Sequence, residues 1–175
     1  LGHGLDQPVG LLQQFGRLDV LCNIAGACRA DHFLDIRLGD WERMFSINVT
    51  SLVAICQEAL PHLCESRGNI VNMSSASALC GAAYWSAYAA SKAAVASLSK
   101  CLAVEFSGKG VRVNAVCPGG VKTNIARKGK HVIDARGEAT TLEATAEEFD
   151  AIARTTADEA SQQIWRGVLA GRRRI

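Results

Sequence analysis

The sequence has little net charge. Its 19 Lys and Arg against 17 Asp and Glu over 175 residues leave +2, too small a balance to argue for a nucleic-acid or anionic-membrane partner. It has no CxxC pair. Its seven cysteines (Cys22, Cys28, Cys56, Cys64, Cys80, Cys101 and Cys117) keep no metal-ligand spacing with His3, His32, His62 or His131, so no metal site is expected. An odd number of cysteines, mostly among apolar neighbours, speaks against a disulfide framework and for a reducing, cytoplasmic setting. No apolar stretch reaches membrane-spanning length. The opening LGHGLDQPVG lacks the basic region and apolar run of a signal peptide. Repeats and low-complexity tracts are absent too. The one basic cluster, Arg172-Arg173-Arg174, reads as a solvated tail or the charged edge of a last strand.

What is present is ordinary globular composition, 49% hydrophobic and 21% charged, at a length suited to a single domain over 1–175. Three short apolar runs end in small or turn residues and read as strands: LDVLCNIAG (18–26), GNIVNMSS (68–75) and VRVNAVCPGG (111–120). Between them, residues 40–65 place Trp41, Met44, Phe45, Ile47, Leu52, Ile55, Leu60 and Leu63 at helical spacing. Residues 84–107 form a second, Ala-rich helical pattern closed by Gly108 and Gly110. Strands apolar on both faces and separated by helices predict an α/β fold with a parallel sheet and right-handed crossovers. Residues 121–143 read as a long loop with room for a short helix; 145–155 and 157–171 read as two amphipathic helices.

In such a sheet, ligands bind at the carboxyl ends of the strands. All three runs end suitably: Asn23-Ile24-Ala25-Gly26, Ser74-Ser75 and Pro118-Gly119-Gly120. Each alone is a routine turn; three at one sheet edge suggest a site. Tyr88 and Lys92, in YAASK, are four residues apart and share a helix face. An ammonium close to a phenol favours the phenolate and lowers its pKa, which would let the tyrosine exchange a proton with an alcohol or carbonyl near neutral pH. By itself the pair fits a solvent-facing helix surface equally well.

Its context resembles the short-chain dehydrogenase/reductase family. Ser75 lies thirteen residues before Tyr88, Asn48 sits in FSINVTSL, NIAG ends the first strand, and PGGVKT follows the third. The resemblance runs from about Leu18 to Thr123. It implies a Rossmann-like, doubly wound parallel sheet and an NAD(P)-dependent oxidoreductase that interconverts an alcohol with a ketone or aldehyde. In that reading Tyr88 is the acid/base, and Lys92 tunes it and binds the nicotinamide ribose. Ser75 holds the substrate oxygen, and Asn48 anchors a relay water. Asn23, Ala25 and Gly26 line the adenosine-ribose side of NAD or NADP; Pro118, Gly119, Val121 and Thr123 contact the nicotinamide end. The resemblance also implies a homodimer or homotetramer built through the helices 40–65 and 84–107. Trp85 is expected to pack at the start of its helix rather than line a pocket, and Lys122, Arg127, Lys128 and Lys130 to form a solvated loop.

Two departures stand out. NIAG replaces the family's NNAG, and Ile24 is expected to remove a polar contact that stabilises the sheet. The family's glycine-rich TGxxxGxG turn does not occur, and LGHG at 1–4 does not substitute for it, having no strand before it. The first βα units are therefore missing, on the order of 60 residues at about 30 per unit. The absence of an initial Met and the strand-like RRRI end suggest a portion of a longer enzyme, its catalytic C-terminal part, with the first strand left as an uncovered edge. A truncated, non-catalytic scaffold or dimerisation module is the alternative, and a regulatory dinucleotide binder a third.

Overall fold

The computed structural model describes residues 12, 14–128, 138 and 140–171. LGHG, His3, Lys130, His131 and the arginine cluster at 172–174 lie outside them. A three-stranded parallel sheet has the order β1 (Val20–Asn23), β2 (Asn69–Met73), β3 (Arg112–Val116). Val20 pairs with Asn69 and Asn69 with Arg112. The strands are shorter than the apolar runs that contain them, because each run continues into the turn residues of the carboxyl edge.

The expected helix over 40–65 is interrupted. Helix α1 (Leu38–Phe45) passes into a π-helical turn at Ser46–Thr50 before α2 (Ser51–Ser66). A π turn inserts an extra residue and shifts which side chains face inward, a feature that recurs at functional sites; here it buries Asn48. Helix α2 ends on Arg67 in the left-handed region (φ 55°). Gly68 follows, where a Cβ would lie 2.6 Å from both the Asp19 carbonyl oxygen and Leu63 Cδ2. Helix α3 (Ser86–Glu105) closes through one 3-10 turn at Ser107–Lys109 and Gly110 at φ 80°.

Leu52, Cys56, Ala59, Leu60 and Leu63 of α2 and Val95 of α3 pack with Ile70, Val111 and Val113, so both helices cover the same face of the sheet. Ile70, Leu63 and Val95 are wholly buried, and truncating such a side chain to Ala costs about 2–5 kcal/mol. On the opposite face of β3, the Arg112 guanidinium donates to the Val168 carbonyl (3.0 Å), which brings in the end of α5 (Ala157–Leu169). Helices on both faces are what the doubly wound reading requires.

Two elements were hidden in the predicted loop and helices. Val121–Lys122 (β4) pairs in parallel with Thr155–Thr156 (β5). Helix α4 (Leu142–Ile152) starts three residues earlier than its apolar pattern suggests, because the Thr141 hydroxyl accepts the Ala144 N–H (3.1 Å). Helix α5 begins with a capping box: Thr156 Oγ1 accepts the Glu159 N–H (3.2 Å), and Glu159 Oε2 accepts the Thr156 N–H (2.8 Å). The bond from the Thr156 backbone is the main reason the Glu159 carboxyl lies below its usual range. No described helix is long and apolar enough to cross a membrane.

Candidate active site

Parallel pairing brings the carboxyl ends of β1, β2 and β3 to one sheet edge, and α3 starts beside them. Lys92 is held from both ends by residues at the end of β2: its ammonium donates to the Met73 carbonyl (2.9 Å), and its own carbonyl accepts from Ser74 Oγ (2.7 Å). Only 4% of Lys92 is exposed. Burial pushes its ammonium below the ordinary lysine range.

Tyr88, one turn earlier, has Lys92 Nζ 5.9 Å from its ring centroid. Its phenol is pushed up, first by burial, with the hydrogen bond to Ser75 acting in the opposite direction. This reverses the direction expected from the four-residue spacing alone. The ammonium lies over the ring and bonds to Met73, while desolvation of the phenolate dominates.

Asn48 is 2% exposed and joins three elements. Its Oδ1 accepts from the Ala27 N–H (2.8 Å), and its Nδ2 donates to the Ala27 carbonyl and to Ser91 Oγ (2.9 Å each). Ser91 Oγ in turn donates to the Tyr88 carbonyl (2.7 Å). Sequence reading treats Ser91 as a small spacer in YAASK, whereas it links Asn48 to the first turn of α3. Gly26 faces this cluster: a Cβ there would stand 3.1 Å from both Asn48 Oδ1 and Lys92 Nζ. The structure thus brings together Asn48, Ser75, Tyr88, Lys92 and Gly26.

The remaining predicted residues are arranged differently. The Asn23 side chain turns into the sheet and donates to Asn72 Oδ1 (2.8 Å), with Cys56 Sγ at 3.4 Å. Asn72 continues the chain to Ser99 Oγ (2.9 Å). The polar contact that secures the sheet therefore comes from Asn23. Ile24 lies past the end of the strand, 60% exposed, and does not occupy the sheet position assigned to it from sequence. Ala25 is exposed. The Pro118 carbonyl accepts from the Ala76 N–H (2.8 Å), which ties the third strand's turn to the serine segment. Gly119 has open space above it. Val121 lies in β4, and Thr123 lines an open cleft of about 460 Å³ with Lys122, Asn124, Arg127 and Asp150. Arg127 is paired with Asp150 (2.6 Å) at the solvent-exposed surface. A second cleft, about 500 Å³ between Cys64, Arg67 and 107–110, lies at the amino-terminal edge of the strands, away from this chemistry.

Trp85 sits at the start of α3 with its ring edge-on to Tyr88 (5.4 Å). Tyr84, just before it, has φ 67°, which nothing in its residue type announces. Among the described residues no group of three His, Cys, Asp or Glu converges as a metal site would require.

The residues present fit a bound dinucleotide at its nicotinamide end. Gly119 has open space above it, and the Met73 bond uses one of the three donors of the Lys92 ammonium.

A parallel α/β sheet covered by helices, with a Ser, Tyr and Lys gathered at its carboxyl edge, defines a Rossmann-like protein. Residues 9–134 match the short chain dehydrogenase family, and the chain belongs to that family. It is 42% identical over 116 residues to a meso-2,3-butanediol dehydrogenase of Serratia marcescens, covering 65% of this chain and 45% of that one. Among solved structures it resembles acetoin dehydrogenase from Enterobacter cloacae, at 37% identity and a TM-score of 0.66 over 70% of this chain and 51% of that one. A Caenorhabditis elegans short-chain dehydrogenase/reductase of unknown function, solved with cofactor, is similar over 96% of this chain and 65% of that one, at 27% identity and a TM-score of 0.79. The chain spans about half the length of the curated relatives it matches.

Proposed function

We propose that the protein is an NAD(P)-dependent oxidoreductase that interconverts a small alcohol and its ketone or aldehyde. The observation that carries this reading is the gathering of Ser75, Tyr88, Lys92 and Asn48 at one sheet edge, with Gly26 against Asn48 and Lys92. Family membership and likeness to dehydrogenases of small diols and hydroxyketones support the substrate class.

The Ser75 hydroxyl, which acts on the Tyr88 phenol, would hold the substrate oxygen beside it. For reduction, the Tyr88 O–H gives its proton to the carbonyl oxygen as that oxygen gains negative charge; for oxidation, the phenolate takes the alcohol proton. Hydride chemistry at the carbon would come from bound NAD or NADP. Lys92 directs its remaining N–H donors to the nicotinamide ribose and keeps positive charge near the phenol. The Asn48 amide is committed to Ala27 and Ser91, so in this reading its side chain fixes the site and a relay water would sit on its main chain. Ala25 and Gly26 line one side of the cofactor, and Pro118, Gly119, Val121 and Thr123 the nicotinamide side.

Assembly through the faces of α1–α2 and α3 left free of the sheet is part of the same reading; Val104, 78% exposed on α3, would lie in the contact. Light scattering would check it, with Val104→Lys shifting the mass toward monomer. For the reaction, Tyr88→Phe should lower the turnover of a diol or hydroxyketone about 10²–10⁴-fold with cofactor affinity retained. An unchanged rate would remove Tyr88 from the chemistry.

A further inference from the structure

Tyr88 is positioned by more than its own helix. Tyr84, four residues earlier, has φ 67°, a strained conformation for an aromatic residue that persists only where its surroundings hold it. Those surroundings come from the segment after β1. The Asp31 N–H donates to the Tyr84 carbonyl (2.9 Å), and the His32 ring stands edge-on to the Tyr84 ring at 4.7 Å. The first hydrogen bond of α3 follows at once, from the Ala89 N–H to the Trp85 carbonyl (2.7 Å).

The segment that grips Tyr84 is itself braced. Arg29 Nε lies 2.8 Å from both carboxylate oxygens of Asp31, and Arg29 Nη1 lies 3.1 Å from Asp40 of α1. Arg37 also reaches Asp40, at 3.4 Å. Two residues before Arg29, Ala27 is clamped through both backbone groups to Asn48. The loop is thus fixed at one end to the site and at the other to the turn that opens the catalytic helix.

We propose that Arg29 is a positioning residue for the acid/base. By holding Asp31 and Asp40 together, it fixes the loop that keeps Tyr84 left-handed, and so sets where α3 begins and where Tyr88 stands. The proposal rests on the oxidoreductase reading for its kinetic consequence but not for its structural one.

The chain contains only two tyrosines, so the test uses protein labelled with ¹³C at the tyrosine ring carbon bearing the hydroxyl. Tyr84→Phe assigns the two signals, and the Tyr88 phenol is titrated in the parent and in Arg29→Leu. Ser75, Lys92 and Cys28 are the groups that act on this phenol or sit beside it, and all are unchanged in the variant. Burial is the largest influence on the phenol. A loosened first turn of α3 should therefore let Tyr88 titrate lower, closer to free tyrosine. Arg29→Lys, which can hold one carboxylate at a time, should fall between. In turnover, Arg29→Leu should lower kcat about tenfold with KM for the cofactor little changed. Arg17→Ala, which removes the exposed Arg17–Asp19 pair, is the control and should move neither readout.

A Tyr88 titration in Arg29→Leu that is unmoved or raised overturns the proposal. If that variant does not fold, Asp40→Ala tests the same brace, because it removes the carboxylate that Arg29 Nη1 reaches at 3.1 Å while leaving Arg29 and Tyr84 in place. Under the proposal its Tyr88 titration also drops, and an unmoved titration overturns it. If Tyr88→Phe leaves turnover intact, the oxidoreductase reading fails while the titration still decides the role of Arg29.

Discussion

The ends of β1 and β2 are neighbours in one sheet, yet they differ in how much of their surroundings this chain supplies. At the end of β2 three successive residues have partners: the Met73 carbonyl accepts from the Lys92 ammonium, the Ser74 hydroxyl donates to the Lys92 carbonyl, and Ser75 Oγ accepts the Ser77 N–H. Past β1, Ile24, Ala25 and Gly26 are exposed, and Cys22 within the strand is exposed as well. Among the described residues β1 pairs only with β2. Asn23 is the exception, since its amide joins the buried chain through Asn72 to Ser99. The corner around Lys92 is held by its own contacts, whereas the end of β1 is exposed among the described residues. Substitutions at the two ends should therefore differ in kind.

The largest effect is expected in the crowded corner. Ser75→Ala should reduce kcat/KM about 10²–10³-fold, the usual loss when a donor to developing oxyanion charge is removed. Steady-state kinetics beside a thermal melt would check it; a full rate with an unchanged melt would mean that the serine does not meet the substrate oxygen. Next comes pH. The Tyr88 phenol is pushed up by burial, so at neutral pH it carries its proton, the form that carbonyl reduction needs. Reduction rates should be flat across neutral pH, while alcohol oxidation, which needs the phenolate, should climb up to about tenfold per pH unit. Oxidation that stays flat as the solution turns alkaline would contradict this.

Two glycines sharpen the comparison further. Gly26→Ala puts a Cβ 3.1 Å from Asn48 Oδ1 and Lys92 Nζ and should destabilise the fold by about 1–3 kcal/mol. Gly119→Ala meets nothing within 4 Å, and its denaturation midpoint should stay within about 0.5 kcal/mol of the parent. The smallest effect belongs to the open edge. Ile24→Thr, at a side chain already 60% exposed, should also remain within about 0.5 kcal/mol, and a large loss there would show that β1 is covered in solution.

Much of this contrast was legible in the residues, and the failures have physical causes. Strands apolar on both faces announced the parallel sheet, and the Tyr88–Lys92 spacing placed both on one helix face. The π turn at Ser46–Thr50 was invisible because the apolar positions on either side of it still satisfy a helical repeat. The two-residue strands β4 and β5 are too short to carry an alternation. Asn23 was assigned to the cofactor because a residue at a strand end can face either way, and only the pairing with β2 decides between them. The direction of the Tyr88 shift depends on burial, which spacing does not encode. The strain at Tyr84 comes from a partner 53 positions away, Asp31, and no local rule reaches that far.

The β4–β5 ladder has an engineering consequence. Val121–Lys122 beside Thr155–Thr156 pins the two ends of the stretch 123–154 to each other, and the Arg127–Asp150 pair ties it again inside. For such a tethered excursion, doubling the loop length adds only about 0.6 kcal/mol of closure cost. This stretch, which begins at the cleft holding Thr123, is therefore where a designer could graft or randomise sequence, leaving the sheet, the Asn48 clamp and α3 as a fixed chassis.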